Sequence, residues 1–174
     1  MIKTVLLAAD FSVSTHQLLQ HAAELAEQYD AKLVVVHAIE PLGNLGHALL
    51  HAYVNPATTR TITTTGLDAM VQEVKSQLID VLTDEYVDGD YRSLDLGEVI
   101  VKTGHPVQVI LEAAEYCQAD LIVFGSHSTG IHSDSNLGSV ANKIVNNAKV
   151  PIYMVPHLFP PPPADNNHNQ MQLW

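Results

Sequence analysis

Thr4 to Ala9 reads TVLLAA, a run without a charged residue that stops at Asp10. A short segment with no polar face is the pattern of a strand buried on both sides. Past Asp10 the period changes. Leu18, Leu19, Ala22, Ala23, Leu25 and Ala26 recur at helical spacing between Gln, His and Glu, with Ser12 or Ser14 as the candidate cap. Lys32 to Ile39 (KLVVVHAI) returns to a strand pattern rich in β-branched residues. Pro41, Gly43, Gly46 and Pro56 then break the chain into turns ahead of a threonine cluster between Thr58 and Thr65. Leu67, Met70, Val71, Val74, Leu78 and Val81 predict a long amphipathic helix, and Leu96 to Val101 a third strand. Gly104 with Pro106 marks a turn into a third helix, since proline is tolerated in a first helical turn. Asp120 to Phe124, Gly138 to Ala148 and Ile152 to Val155 complete the pattern as strand, helix and strand.

The order β-α-β-α-β-α-β-α-β, with strands apolar throughout, predicts an open, doubly wound α/β domain with a five-stranded parallel sheet. Such sheets bind ligands beyond the carboxyl ends of their strands, where the strand order reverses. The first and fourth strands end at Asp10 and Gly125, so if those strands are neighbours the two residues face one crevice. The domain is expected to span residues 1–156. Residues 157–174 (HLFPPPPADNNHNQMQLW) change character, with four consecutive prolines and an Asn/Gln-rich end. That composition predicts a polyproline II stub leading into a disordered tail. The tail reads either as a tolerated extension or as a partner tether anchored by Leu173 and Trp174.

Composition narrows the function classes. Of the 174 residues 47% are hydrophobic and 16% charged, which suits a globular chain. Lys and Arg number 8 against 19 Asp and Glu, a net charge of −11. A basic footprint for nucleic acid is absent, and no nucleic-acid partner is expected. Cys117 is the only cysteine, so no internal disulfide forms; its apolar-periodic neighbours predict a buried small hydrophobe. No run approaches the ~18 apolar residues of a membrane helix, and the amino terminus lacks a signal peptide's apolar region and cleavage site. The expectation is a cytoplasmic protein with no direct membrane insertion.

Candidate chemistry concentrates between Gly125 and Ser139 (GSHSTGIHSDSNLGS), where a strand runs through a glycine-containing loop into a helix. Backbone N–H groups and the helix dipole at such a junction favour an anion. The loop contains no Lys or Arg. His127 lies within it, as a protonated contact for phosphate or as a neutral ring beside a ligand. Its serines lack the GxSxG elbow of a nucleophile. His47 and His51 are spaced for one helix face, but no HExxH or CxxC completes a zinc site, which favours a solvated loop. Lys143 is expected to face solvent. Asp10 is either a ligand contact or the N-cap of the first helix.

These residues together resemble the universal stress protein family. VLLAADFSVSTHQLLQHAAELA is similar to that family's first strand, aspartate and first helix, and VVVHAIEP to its second strand. ADLIVFGSHSTG, followed by LGSVANKIVNNAKVPIYMVP, resembles its last loop, helix and strand. Members that bind ATP carry glycine, two residues, glycine, nine residues, then glycine with Ser or Thr. Gly125, Ser128, and Gly138 with Ser139 occupy those places at that spacing. The resemblance implies strand order 3-2-1-4-5 and homodimers formed through the last strand. It also implies ATP as ligand, with Asp10 on the adenine or ribose side and Ala38 meeting the base through its backbone. Gly125, His127 and Ser128 would line ribose and phosphates, and Gly138, Ser139 and Val140 would offer amides and a hydroxyl. Ala8 and Phe124 complete the implied nucleotide-binding set.

Two departures bear on this. Ser128 stands where such members have glycine, which carries a steric cost if that position needs φ > 0 and adds a donor if it needs only close approach. The loop holds His132 and Asp134 in place of basic residues; the added carboxylate opposes a triphosphate, and a divalent metal would reverse that sign, with Asp134 helping to hold Mg²⁺. Three readings follow. The first is an ATP-binding regulatory dimer in stress response, at most a slow ATPase or autophosphorylating, whose partner is a regulatory protein such as a transporter or an enzyme. The second is a nucleotide-free dimeric interaction module. A flavin or dinucleotide enzyme is the third and weakest, because the first strand–helix junction lacks GxGxxG.

Overall fold

Val5 and Leu7 point to one side of a sheet and Leu6 and Ala8 to the other, and all four are buried. The same alternation holds for Leu33 and Val35 against Val34 and Val36, and for Leu121 and Val123 against Ile122 and Phe124. A strand covered on both faces has no position left for a polar residue, which is why these segments read as unbroken apolar runs.

The computed structural model describes residues 1–10, 15–41, 43, 52–56, 58, 65–88, 94–126 and 137–156. Along the chain the elements are β1 (Thr4–Ala8), α1 (Thr15–Tyr29), β2 (Lys32–Ile39), α2 (Thr65–Asp88) and β3 (Asp95–Thr103). They continue with α3 (Pro106–Tyr116), β4 (Leu121–Gly125), α4 (Ser139–Asn147) and β5 (Ile152–Val155). The sheet has five strands in the order β3-β2-β1-β4-β5, and every neighbouring pair is parallel. The expected architecture and strand order are therefore observed. From β1 the chain steps outward to β2 and β3, then crosses back to β4 and β5, so the order reverses between β1 and β4.

Leu18, Leu19, Ala22 and Ala26 of α1 join Leu78 and Leu82 of α2 in the core on one face. Val109, Ile110, Ala113 and Ala114 of α3 join Ala141 and Ile144 of α4 on the other. Alanines at these contacts let helix and sheet approach closely. The helix α2 departs from its expected face. Leu78 and Leu82 are buried and Val81 packs partly, but Met70 is 43% exposed. A helix of 24 residues is about 36 Å long, while β3, the nine-residue strand it packs on, spans about 30 Å. One end of such a helix has no sheet beneath it.

Gly104 (φ 157°) turns the chain out of β3, its N–H donating to the Ile39 carbonyl at 2.9 Å, and Pro106 opens α3 as expected. Cys117 caps the end of α3 and is half-buried rather than enclosed. It packs against the second core, and burial pushes its thiol pKa up. Ser12, Ser14, most of the threonine cluster and the proline-rich tail lie outside the described residues. Among the described residues, no helix is long and apolar enough to cross a membrane.

Candidate functional site

The carboxyl ends of β1, β2 and β4 and the start of α4 enclose a cavity of about 280 Å³, at the place where the strand order reverses. Its position follows from topology, because α1 and α4, the helices that follow β1 and β4, pack on opposite faces of the sheet. Ala8, Ala9 and Asp10 line it from the first strand, and His37, Ala38 and Glu40 from the second. Phe124, Gly125 and Ser126 come from the fourth strand and its exit, and Gly138, Ser139, Val140 and Ala141 from α4. The fold thus brings together Ala8, Asp10, Ala38, Phe124, Gly125, Gly138, Ser139 and Val140. His127, Ser128, His132 and Asp134, and the pair His47 and His51, lie outside the described residues.

Backbone polarity at the cavity can be read from the ladder. Ala9 N–H donates to the Val36 carbonyl at 3.0 Å, so Val36 turns its polar groups toward β1. The Gly104 N–H donates to Ile39, so Ile39 turns toward β3. Alternation then directs the N–H and C=O of Ala38 toward the β1 side, where the cavity lies. Were the ladder to continue, Ala38 N–H would donate to the Ala9 carbonyl. It does not: paired residues of β1 and β2 end at Ala8 and Val36, and His37 Nδ1 meets the Ala9 carbonyl at 2.7 Å. A carbonyl oxygen only accepts, so Nδ1 carries the hydrogen. Among the described residues nothing pairs with the Ala38 N–H, which lies beside its own C=O on the cavity side.

The start of α4 supplies a second polar edge. Gly138 precedes the helix with φ −60° and ψ 154°, and no side chain caps it. The first amides of a helix have no acceptor within it. Among the described residues, nothing accepts from the N–H groups of Ser139, Val140 and Ala141. Gly138 itself is different, because its amide donates to the Ser126 carbonyl at 2.9 Å. The expectation that Gly138 offers an amide to a ligand is corrected on this point, and the donors move one residue into the helix. Ser126 N–H donates to the Val155 carbonyl at 2.9 Å, so the residue leaving β4 binds β5 on one side and the start of α4 on the other.

The charge of the lining is acidic. Asp10 and Glu40 contribute carboxylates, and no Lys or Arg lines the cavity among the described residues. The positive end of the α4 dipole is the countervailing feature. Asp10 is half-buried just past the end of β1. Lys143 is exposed, as expected, in a groove between α3 and α4 beside His105 and Glu112, not at the cavity. Among the described residues, no three His, Cys, Asp or Glu side chains gather as metal ligands.

Sequence reasoning missed Ala9, His37, Ser126 and Ala141. For His37 a signal existed, since it is the one polar residue inside the apolar run LVVVHAI. Ser126 is 7% exposed and acts here through its backbone, which leaves no trace in side-chain type.

The family model described as the universal stress protein family matches residues 1–156. Universal stress protein A homolog 2 of Coxiella burnetii is 31% identical over 144 residues, covering 82% of this chain and 86% of that protein. Among solved structures, universal stress protein UspA from Lactobacillus plantarum superposes with a TM-score of 0.68 at 19% identity, covering 88% of this chain and 97% of that one. A universal stress protein in complex with cAMP gives a TM-score of 0.55 at 23% identity, with 88% and 96% covered. One from Archaeoglobus fulgidus in complex with dAMP gives 0.51 at 20%, with 88% and 97% covered.

Proposed function

Because the chain belongs to the universal stress protein family, we propose that it is an ATP-binding regulatory dimer of the cytoplasm, whose nucleotide occupancy sets its affinity for a protein partner in stress response. The observation that carries this reading is the pairing of two polar edges across one cavity. The Ala38 backbone offers a donor and an acceptor suited to an adenine edge, and amides at the start of α4 that meet no acceptor among the described residues suit a phosphate. Two solved relatives hold cAMP and dAMP, which share the adenine and one phosphate with ATP. In this reading Asp10 takes the ribose side and Gly125 permits close approach of the sugar, and His127 and Ser128 are assigned to ribose and phosphates by the family resemblance alone. The cavity volume, about 280 Å³, is near the lower end for small-molecule sites and suits base and ribose, with the phosphates reaching over α4. Mg²⁺ carried by the phosphates offsets the acidic lining.

Control of a partner requires that nucleotide bind two states of the protein with different affinity. The partner is a regulatory protein, a transporter or an enzyme. Fast hydrolysis is not part of this reading, because the chain lacks a Walker lysine beside the loop. Dimerisation uses β5, the edge of the sheet, which leaves Tyr153 and Met154 more than a third exposed. Sedimentation of Tyr153→Asp checks this: a dimer that persists unchanged counts against β5 as the interface.

The acidic, non-basic lining favours a second reading, a nucleotide-free dimeric interaction module. Mass spectrometry of small molecules released from natively purified protein separates the two. An adenine nucleotide near one per chain supports the first. Protein that carries none and takes up none when ATP is supplied supports the second.

A further inference from the structure

Past Ala8 and Val36 the strands β1 and β2 part company, and one side chain stands at the fork. His37 Nδ1–H holds the Ala9 carbonyl at 2.7 Å, the acceptor that a continuing parallel ladder would give to Ala38 N–H. Among the described residues, nothing else accepts from Ala38 N–H, and Ala38 lines the cavity. Taking the adenylate site proposed above as its premise, we propose that His37 is a positioning residue for base selectivity. By binding the Ala9 carbonyl it competes for the acceptor that Ala38 N–H would take in a continuing ladder, and so favours an open edge whose N–H and C=O read the base.

The chemistry is specific. Adenine presents an acceptor at N1 beside a donor at its 6-amino group, which complements a backbone N–H beside a C=O. Hypoxanthine reverses both, with N1–H as donor and a 6-oxo group as acceptor. A fixed Ala38 edge therefore rejects it by leaving polar groups unpaired. Remove the imidazole donor and the Ala9 carbonyl becomes available to Ala38 N–H. The strands then zip by one further bond, and the edge that reads adenine loses its donor.

The experiment compares AMP and IMP binding to the full-length wild type, His37→Leu and His37→Asn by titration calorimetry. Amide hydrogen exchange at Ala38 is followed in the same three proteins. Asparagine places an amide donor near the position of Nδ1, whereas leucine fills similar space without one. The wild type is expected to prefer AMP by at least ~10-fold, a difference of about one bidentate pair. In His37→Leu AMP affinity falls about 10-fold, the preference over IMP shrinks below ~3-fold, and Ala38 N–H becomes protected from exchange. His37→Asn restores the preference and the unprotected amide. A leucine variant that keeps both the AMP preference and an exchanging Ala38 amide overturns the role of His37 while leaving adenylate binding intact. A wild type that binds neither nucleotide overturns the adenylate reading, and the selectivity with it.

Discussion

The amide of Gly138 donates to the carbonyl of Ser126 at 2.9 Å, fastening the start of α4 to the residue that leaves β4. The bond fixes where the helix begins relative to the sheet, and so where the amides of Ser139, Val140 and Ala141 sit. It also shows why a small residue at 138 suits the site without being demanded by the backbone. With φ −60° and ψ 154° any L-residue is accommodated. Gly138→Val is therefore expected to fold, with a melting temperature within a few degrees of wild type, yet to lose ATP affinity by at least ~10-fold as its branches enter the cavity. Calorimetric titration beside a thermal melt checks this. Unchanged affinity removes the start of α4 from the site.

Asp10 and Glu40 line a cavity that has no Lys or Arg among its described residues. The triphosphate should then depend on its metal far more than a monophosphate does. Chelating Mg²⁺ is expected to weaken ATP by at least ~10-fold and AMP by less than ~3-fold, read by competition against a fluorescent adenylate. Equal sensitivity of the two ligands contradicts this account of the lining.

Asp120 Oδ2 accepts from the amides of Lys3 at 2.7 Å and Thr4 at 3.1 Å, joining the start of β4 to the start of β1. Those two hydrogen bonds hold its carboxyl pKa below the ordinary value. The linkage has a definite sign. A depressed folded pKa gives stability that is fully present above the unfolded carboxylate range and lost as pH falls through the folded value. Asp120→Asn should thus lower the melting temperature most near neutrality, with the gap closing in acid. A gap that widens as pH falls goes against this assignment.

Gln118 adopts φ 53° just past α3, and Ala119 N–H reaches back to the Ala114 carbonyl at 2.9 Å. This is a helix end that glycine usually provides. Asp30 repeats it after α1, with φ 52° and Ala31 N–H donating to Ala26 at 2.8 Å. The left-handed conformation costs a residue with a Cβ about 1–2 kcal/mol, part of which glycine gives back in unfolded-chain entropy. Gln118→Gly is expected to stabilise the fold by up to about 1 kcal/mol, a rise of roughly 2–4 °C. A lower melting temperature for this variant refutes the strain argument.

The fold was legible because TVLLAA, KLVVVHAI and DLIVF are largely apolar on both faces and alternate with amphipathic helical segments, the pattern of a parallel sheet covered on both sides. Asp10 and Gly125 were placed together by the same logic, once β1 and β4 proved to be neighbours. What remained hidden belongs to the backbone. The Gly138–Ser126 bond and the fork at Ala9 depend on which carbonyl each amide meets, and side-chain type does not encode that. Met70 misled for a different reason, since helical periodicity reveals a face but not how far the partner sheet extends beneath it.

Equilibrium dialysis of the full chain against labelled ATP with Mg²⁺ addresses the central claim most directly. Saturable uptake approaching one nucleotide per chain, displaced by AMP at lower concentration than by IMP, is the predicted result. No saturable uptake at millimolar ATP contradicts it.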